Sequence, residues 1–440
     1  MIENEKILII GMSKSGYNIA KLLAKSNEIV ISDKKDQDED KLKELESMGI
    51  KYIQSDHQED ILDSSFDILV RNPGVDPHNK VIVKAKDLNI PITNEMEIAY
   101  HYLPKGVKII GITGSNGKTT TTTMVYEMMS KMGYPVILGG NIGYPLSEII
   151  SSVKENSILV LEISDHQLYD FKDFKTDISV LTNLCPTHLD FHDNYENYIN
   201  VKHKIFNHHT KEDIAIINFG NEDSLKITKD INSKKKYFVG NNAYINRDAI
   251  YVNNEFIIAL DDIKVKGNHN YENIMAALLV ISEFGLDKEI AKEYLQNFKG
   301  VEHRLEYVDT INNASYYNDS KATNPTSTII AVNSFKGNVH LLLGGFERKQ
   351  DFNELNGILD KVKCIYALGE TSDRVCTWAK EHNKNVIKSV TLKKAMEDTK
   401  SNIESGDVVL LSPASASWDQ YNRFEDRGQE FKELVESLKD

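Results

Sequence analysis

The chain has 440 residues, of which 40% are hydrophobic and 27% are charged, and its formal net charge is −14. This length accommodates about three globular domains, and so acidic a composition argues against a nucleic-acid partner, because phosphate backbones are bound by basic surfaces. No apolar run approaches the roughly 20 residues that cross a bilayer, so we expect no membrane association.

The first stretch, residues 1–96, opens with a parallel α/β pattern. "KILIIG" reads as an apolar strand, "SGYNIAKLLAKS" as a helix and "EIVISD" as a second strand. Gly11 and Gly16 flank the first turn and Asp33 ends the second strand, as in the nucleotide fingerprint of a Rossmann fold. The turn "GMSKSG" lacks the middle glycine, so a dinucleotide site and a turn with another ligand or none both stay open. The charged run that follows predicts a solvated loop and helix face.

The second stretch, residues 97–300, begins with Pro and Gly in "HYLPKGVKIIG", which place a boundary near Glu97. "KIIGITG" predicts a buried strand and "KTTTTTMVYEMMSKMG" a helix that ends at Gly133. The loop between them departs from the phosphate-loop pattern, because Ile112 stands where the first glycine belongs. Its amides nevertheless lie at a helix N-terminus, which favours an anion. Lys118 could reach terminal phosphates and Thr119 could offer a hydroxyl to Mg²⁺; the alternative is a glycine-rich turn without a ligand.

Two further segments of this stretch carry metal-ligand side chains. "VLEISDHQL" places Glu162 near the end of an apolar strand, where a carboxylate is costly unless a cation meets it. "VLTNLCPTHLDFH" places His188 at the end of the next strand. Ligands bind α/β sheets beyond the carboxyl ends of the strands, so the pair predicts a metal site, although each could instead be a satisfied structural residue.

The third stretch, residues 301–440, follows an asparagine-rich helix start in "NHNYENIMAALLVISEFG". "HLLLGG", "KCIYALG" and "GDVVLLSPA" read as strands, and they predict a third α/β domain. The three cysteines, Cys185, Cys364 and Cys376, are too few and too scattered for a disulfide framework. The first residues lack the basic region of a signal peptide. Both features predict a cytoplasmic protein, and we expect a monomer.

Taken together, these segments resemble the Mur ligases, the ATP-dependent amide-bond ligases of peptidoglycan precursor synthesis. The resemblance is carried by "TGSNGKT", "LEIS", "NLCPTHLD", "VKHKIF", "GNHNYEN" and "VEHRLE", in this order, and it covers essentially the whole chain. "NDSKATNPTST" and "LLSPASASWDQYNRFEDRG" are similar to the branch that adds D-glutamate to UDP-N-acetylmuramoyl-L-alanine. The family implies a Rossmann-like N-terminal domain for the UDP substrate, a central P-loop ATPase-like domain and a Rossmann-like C-terminal domain for the amino acid.

The resemblance also implies a mechanism and its residues. The substrate carboxylate attacks the γ-phosphate of ATP, and D-glutamate then attacks the acyl phosphate. Catalysis is implied for Lys118, Glu162, His188 and Lys202, the last as a carbamate, and two Mg²⁺ ions are implied at Thr119, Glu162, His188 and Lys202. ATP contacts are implied for Gly114, Ser115, Asn116, Gly117, Lys118, Thr119, Thr120, Asn270, Arg304 and Asp319. UDP-substrate contacts are implied for Ser13, Ser15, Gly16, Asp33, Asn72, Gly74 and Asn141. D-glutamate contacts are implied for Lys321, Thr323, Arg348, Ser415 and Phe424.

The chain departs from the family pattern at three places. The first glycine loop has Met12 and Ser13 after its glycine, which leaves the UDP phosphate contact open. Asp165 and His166 stand where relatives often have Ser and Phe, as a packing substitution or a rearranged substrate wall. "GGFERKQDF" has Arg348 where a lysine often meets the D-glutamate side chain, and an arginine can bind a carboxylate through two hydrogen bonds.

Three other functions each account for part of the sequence. Folylpolyglutamate synthase also adds glutamate but lacks the N-terminal UDP-binding domain. A NAD-dependent dehydrogenase, inferred from the first strand and its glycines, leaves the phosphate loop unexplained. A non-catalytic nucleotide-binding regulator needs Lys118 but neither Glu162 nor His188. For Lys202 the alternative to the carbamate is a solvated lysine on a charged surface.

Overall fold

The computed structural model describes residues 2–439, which form three α/β sheets and their covering helices. The chain divides into two compact units. One contains the residues up to 260 together with 271–292, and it holds the first two sheets. The other contains 261–270 and the residues from 293 onward, and it holds the third sheet.

The N-terminal sheet has five parallel strands in the order β3-β2-β1-β4-β5. Its elements are β1 (Lys6–Ile10), α1 (Lys14–Leu23), β2 (Glu28–Asp33), α2 (Glu39–Ser47), β3 (Lys51–Gln54), β4 (Ile68–Arg71), α3 (Lys80–Asp87), β5 (Ile92–Thr93) and α4 (Glu95–Tyr100). Successive side chains of a strand point to opposite faces. Ile7 and Ile9 therefore enter one core cluster, while Leu8 and Ile10 enter the other. Residues of α1 pack in the first of these clusters and residues of α3 in the second, so helices cover both faces of the sheet.

The central sheet has nine strands in the order β14-β13-β12-β11-β10-β9-β6-β8-β7. Its strands are β6 (Lys108–Thr113), β7 (Val136–Gly140), β8 (Ile158–Glu162), β9 (Ile178–Leu181), β10 (Ile214–Asn218), β11 (Lys234–Phe238), β12 (Ala243–Asn246), β13 (Ala249–Val252) and β14 (Glu255–Ala259). Its helices are α5 (Lys118–Lys131), α6 (Leu146–Ile149), α7 (Asp165–Leu168), α8 (Leu189–His192), α9 (Tyr195–His203), α10 (Glu222–Ile227), α11 (Asn268–Ser282) and α12 (Lys288–Asn297). β12 pairs with β13 and β13 with β14 in antiparallel orientation, and the other pairs of neighbouring strands are parallel.

The C-terminal sheet has six strands in the order β15-β16-β20-β17-β18-β19. Its elements are β15 (Glu306–Ile311), β16 (Ala314–Asn318), α13 (Pro325–Asn333), β17 (Val339–Gly344), a 3₁₀ segment (Phe352–Lys361), β18 (Val362–Leu368), α14 (Ser372–Glu381), β19 (Val386–Val390), α15 (Leu392–Lys400), β20 (Val408–Leu411) and α16 (Phe424–Glu436). β15 and β16 pair in antiparallel orientation, and the other pairs are parallel. Leu341 and Leu343 pack on one face, while Leu342 packs on the other.

Buried polar contacts fasten the N-terminal sheet to the central one. Arg71, the last residue of β4, is fully buried, and its guanidinium lies 2.7 Å from the carboxylate of Asp170. The Asn94 side chain donates to the Gln167 carbonyl at 2.6 Å. A buried arginine needs such partners, because an unpaired charge in an apolar environment costs several kcal/mol.

The predicted α/β class with three sheets is confirmed. The domain limits 1–96, 97–300 and 301–440 stay predictions, and residue 97 lies inside α4 rather than in a linker. Within residues 2–439, no helix combines the length and apolar character that crossing a bilayer requires.

Candidate active site

The loop between β6 and α5 depends on its glycines. Gly117, with φ 82°, caps α5, and a Cβ there would come within 2.2 Å of Asn273 Oδ1. A Cβ on Gly114, with φ 143°, would lie 1.9 Å from Thr182 Oγ1. Positive φ and such close approach both exclude a side chain. Lys118 Nζ donates to the Gly114 carbonyl at 2.9 Å, so its ammonium folds back over the loop.

The loop amides divide into two groups. Those of Ser115 and Asn116 donate to the backbone and side chain of Asn183, at 2.8 and 3.0 Å. The Thr121 amide donates to the carbonyl of the helix cap at 3.0 Å, and the amides of residues 118–120 precede it in the first turn of α5. These amides, at the positive end of α5, suit a phosphate. The loop geometry therefore supports an anion site despite the shifted glycine.

Glu162 lies at the carboxyl edge of the central sheet beside this loop. It ends β8, is 2% exposed, and pairs in register with Ile112 of β6 and Gly140 of β7. The Asn141 side chain donates to its carboxylate at 2.7 Å, and the Asn141 amide donates to its carbonyl at 2.8 Å. Asn141, expected to meet the UDP sugar, thus lies against the expected metal ligand.

Lys202 is buried in α9, so the solvated-lysine alternative is wrong. Its side chain is 0% exposed, and Nζ donates to Thr113 Oγ1 at 3.0 Å. Asp165 Oδ1 lies 3.6 Å from the same Nζ. Burial, followed by the charge of Lys118, lowers the pKa of the Lys202 amine to about 7. A substantial fraction of this amine is therefore neutral near pH 7.

His188 does not sit at a strand end, as the sequence suggested. β9 ends at Leu181, and His188 follows after six intervening residues as the cap of α8. Its φ of 51° lies in the left-handed region, which is uncommon for histidine and is found at functional sites. The loop brings its Nδ1 within 2.9 Å of Asp165 Oδ2, although 23 positions separate the two residues.

Asp165 is the acceptor around which this edge is organised. It is 2% exposed, which acts to raise its pKa. The three histidine side chains around it, His166, His188 and His192, together with the charge of Lys202, outweigh burial and hold the pKa of Asp165 well below its usual range. Asp165 is therefore ionised at any physiological pH.

The metal-ligand side chains at this edge suit Mg²⁺, with Lys202 able to join them only as a carbamate. Thr119 supplies a hydroxyl in the first turn of α5 and Glu162 a carboxylate, and both are buried. Mg²⁺ prefers oxygen ligands, and His188 adds an imidazole nearby. Lys202 as an ammonium has no lone pair and cannot join them, whereas a carbamate on Nζ would offer oxygens.

The first glycine loop has a closely packed geometry. Gly16 has no room for a side chain, because its Cβ would lie 1.9 Å from the Gly11 carbonyl oxygen. Asp33 accepts from the Met12 amide at 2.6 Å, and the Asn72 side chain donates to the Ser13 hydroxyl. The ends of β1, β2 and β4 thus bring four of the predicted UDP-site residues together.

Two further residues of the predicted UDP site, Ser15 and Gly74, lie at the edge of this group. Ser15 lies in the first turn of α1, and the Gly74 amide lies 3.4 Å from the side chain of Asn72. Lys14 Nζ lies 5.5 Å from the centre of the Tyr144 ring, which is half exposed. This contact joins the first glycine loop to the segment that follows Asn141.

In the C-terminal unit, Arg348 lies over an exposed aromatic ring. Its guanidinium carbon is 4.2 Å from the centre of the Trp418 ring, which is 59% exposed. The Gln350 side chain donates to the Ser415 hydroxyl at 2.5 Å. The loop after β17 therefore places Arg348 against the segment after β20, which contains Ser415.

Lys321 and Phe424 also lie together, with Lys321 Nζ 5.5 Å from the Phe424 ring centre. The Thr323 amide donates to the Lys321 carbonyl at 2.9 Å. Arg427 is 2% exposed and donates to the Ser320 hydroxyl and carbonyl at 3.0 and 2.8 Å. These bonds hold the backbone next to Lys321.

Three predicted ATP contacts also belong to this unit. Asp319 accepts from the Ser412 hydroxyl at 2.7 Å and the Leu305 amide at 3.1 Å. Burial raises its pKa to about 7, against the lowering effect of these bonds and of the Arg304 charge. Asn270 lies in the first turn of α11, where its side chain donates to a carbonyl four residues earlier.

Sequence reasoning missed three residues that shape the phosphate loop. Asn183 accepts hydrogen bonds from two of the loop amides. Thr182 and Asn273 leave no room for a side chain at Gly114 and Gly117, respectively. Asn273 follows Asn270 by three positions on one helix, a spacing that could have indicated a shared face. Thr182 and Asn183 stand in the segment "VLTNLCPTHLDFH", but only the pairing of β9 with β6 shows that they reach the loop.

Comparisons with known proteins give one consistent family. The MurD N-terminal domain matches residues 6–81, the Mur ligase middle domain matches residues 112–281, and the Mur ligase, glutamate ligase domain matches residues 303–415. The UDP-N-acetylmuramoylalanine--D-glutamate ligase of Geobacillus sp. is 41% identical over 446 residues, covering 99% of this chain and 98% of its own. That of Streptococcus thermophilus is 39% identical over 445 residues, covering 100% and 98%.

Solved structures share the fold at lower identity. UDP-N-acetylmuramate-alanine ligase MurC from Thermotoga maritima has a TM-score of 0.61 at 18% identity, with 99% of this chain and 100% of that chain covered. MurF ligase from Thermotoga maritima, in complex with ADP, has a TM-score of 0.59 at 18% identity, with 99% and 96% covered. These likenesses extend over the three sheets.

Proposed function

The chain belongs to the Mur ligase family, and we propose that it joins D-glutamate to UDP-N-acetylmuramoyl-L-alanine through an acyl phosphate formed with ATP. It is an ATP-using ligase of peptidoglycan precursor synthesis, and its full-length relatives carry the name of the D-glutamate-adding enzyme. The observation that carries the proposal is the group around Thr113. A phosphate loop, a buried carboxylate and a buried lysine meet there at one edge of the central sheet.

In the first step, a carboxylate oxygen of the UDP substrate attacks the γ-phosphorus, and the bond to ADP breaks. Both reactants are anionic, so the protein must align them and offset their repulsion. The amides of residues 118–120 and the Lys118 ammonium provide positive charge at the phosphates. Asn141, held by Glu162, can hold the acyl end of the UDP substrate at the same edge.

Mg²⁺, when bound, neutralises phosphate charge, and we assign it to Thr119, Glu162 and His188 with Lys202 as its carbamate. Carbamate formation needs a neutral amine to attack CO₂, and the buried Lys202 with its lowered pKa provides one. The carbamate is anionic, so it attracts the Lys118 ammonium, whereas protonated Lys202 repels it.

In the second step, the amine of D-glutamate attacks the acyl carbon, the carbon–nitrogen bond forms, and phosphate leaves as the amine loses a proton. We assign the two carboxylates of D-glutamate to Lys321, Thr323, Arg348 and Ser415, with Phe424 beside Lys321. The position of Arg348 on Trp418 favours a carboxylate partner, because the guanidinium edge stays open while its face is covered. The proposal includes a cytoplasmic location, since the UDP-linked substrate and ATP are cytoplasmic metabolites. It also includes a monomeric state.

One assay tests this function against its rivals. Phosphate release from ATP should require both UDP-N-acetylmuramoyl-L-alanine and D-glutamate, and L-glutamate, meso-diaminopimelate and L-lysine should not replace D-glutamate. Phosphate release with a folate substrate would favour a folylpolyglutamate synthase, and ATP binding without any dependent release would favour a non-catalytic regulator. Hydride transfer from a nicotinamide cofactor would favour the dehydrogenase.

A further inference from the structure

Asp165 collects an unusual number of nitrogen atoms at one oxygen. Its Oδ2 lies 2.8 Å from His192 Nε2, 2.9 Å from His188 Nδ1 and 3.3 Å from His166 Nδ1. Its other oxygen lies near the Lys202 amine. A carboxylate oxygen has two lone-pair directions, so it cannot accept good hydrogen bonds from three imidazoles at once.

His192 accounts for one of the two directions. It is 1% exposed, and its Nδ1 has no hydrogen-bond partner among residues 2–439. A proton on that buried nitrogen would lack an acceptor, so the ring carries its proton on Nε2 and donates it to Asp165. His192 therefore orients the carboxylate, and one lone pair of Oδ2 stays directed toward the other two rings.

Two of the three separations among the remaining nitrogen and oxygen atoms suit ligands of a shared ion. Two ligand atoms about 2.1 Å from a metal, at angles between 90° and 109°, lie about 3.0–3.4 Å apart. The observed separations from Asp165 Oδ2 to the His188 and His166 nitrogens are 2.9 and 3.3 Å. Asp165, His166 and His188 each offer one ligand atom, all within 4.8 Å of one another.

We propose that Asp165, His166 and His188 bind a transition-metal ion of the kind that imidazole suits, such as Zn²⁺, in preference to Mg²⁺. Imidazole nitrogens favour these ions, whereas Mg²⁺ prefers oxygen ligands. The His188 and His166 side chains are about half and a quarter exposed, so an ion can enter from solvent. The site shares His188 with the Mg²⁺ site assigned above, but it needs no nucleotide or UDP substrate, so ion binding can be measured separately from the proposed ligase activity.

The test uses the full chain, freed of metal with a chelator and without nucleotides. Zn²⁺ binding is measured by titration calorimetry, and Co²⁺ is added separately as a probe whose visible absorption reports nitrogen ligation. We expect one Zn²⁺ per chain, held against millimolar Mg²⁺. His166→Phe should weaken binding at least tenfold and remove the Co²⁺ absorption, and Asp165→Ser should do the same.

His101→Phe is the matched control. His101 lies 3.7 Å from Glu97 and 3.8 Å from Asp173. The variant therefore removes a histidine from another histidine–carboxylate group of the same unit. Its Zn²⁺ affinity should equal that of the unmodified chain. Because His166 is partly exposed, its variant should keep the melting temperature and decides the matter if Asp165→Ser does not fold. Equal Zn²⁺ affinity in His166→Phe and the unmodified chain, or binding lost only in His101→Phe, would overturn the proposal.

Discussion

The contact between Arg348 and Trp418 leads to a prediction about how D-glutamate is held. If Arg348 pairs with a D-glutamate carboxylate, Arg348→Ala removes a charge-assisted pair worth about 1.5–3 kcal/mol. That free energy corresponds to a rise in KM for D-glutamate of about ten- to a hundredfold. The kcat at saturating D-glutamate should change little, because the lost contact is to the amino acid and not to the phosphoryl group.

Trp418 should act through Arg348. A cation–π contact at an exposed site is worth about 0.5–1 kcal/mol, so Trp418→Leu should raise the same KM about two- to fivefold. In the Arg348→Ala background, Trp418→Leu should have no further effect, because the partner that it positions is gone. Initial rates of phosphate release at varied D-glutamate give all four values of this double-mutant cycle.

Lys349→Ala is the control, since Lys349 is the exposed neighbour in the same loop and φ at this position is 59°. Its KM should stay near that of the unmodified enzyme. An unchanged KM in Arg348→Ala together with a large rise in Lys349→Ala would refute the assignment and move the contact to Lys349. Additive effects of Arg348→Ala and Trp418→Leu would show that Trp418 acts independently of the arginine.

Three further outcomes are expected. Lys118→Ala should abolish phosphate release while calorimetry finds the UDP substrate still bound, because that binding is assigned to the N-terminal domain; loss of both would contradict the assignment. Lys202→Ala should fold yet be almost inactive, and acetate or formate should partly restore its rate, whereas Lys202→Arg should stay inactive with either acid. Burial raises the pKa of the Glu95 carboxyl from 4.5 to about 7. Above pH 7, ionisation of this buried group therefore lowers the free energy of unfolding by about 3 kcal/mol at most. Its contribution to the free energy of unfolding therefore falls as pH rises from 4.5 to 7, and Glu95→Gln should raise the melting temperature at pH 8 but not at pH 5. An equal gain at both pH values would show that ionisation is not the cause.

Much of the fold could be predicted because its signals are local. The apolar run of β1, the glycines of its first turn and the end of α5 near Gly133 each need only a few neighbouring residues. Lys118 and Thr119 follow β6 after a short glycine-containing loop, and that loop sequence already predicts their place at the start of α5. The resemblance to Mur ligases is confirmed by family models that match in order along the chain.

The contacts of the site could not be predicted in the same way. His188 was expected at a strand end, but the chain continues for six residues and turns through a positive φ before it reaches Asp165. Lys202 lies on a helix with charged neighbours in sequence, and only the packing of α9 on the central sheet shows that it is buried. Periodicity describes one element at a time, whereas these contacts depend on the order of strands in the sheet.

The two proposals at this edge bear on each other through charge. As an ammonium, Lys202 forms an ion pair with Asp165 at 3.6 Å. As a carbamate it becomes an anion, and two anions at this separation in a buried site repel each other strongly. The histidines around Asp165 offset part of that repulsion, and a divalent ion held by Asp165, His166 and His188 would offset more. A chain that carries this aspartate beside a carbamylated lysine therefore has a physical reason to carry the histidines as well.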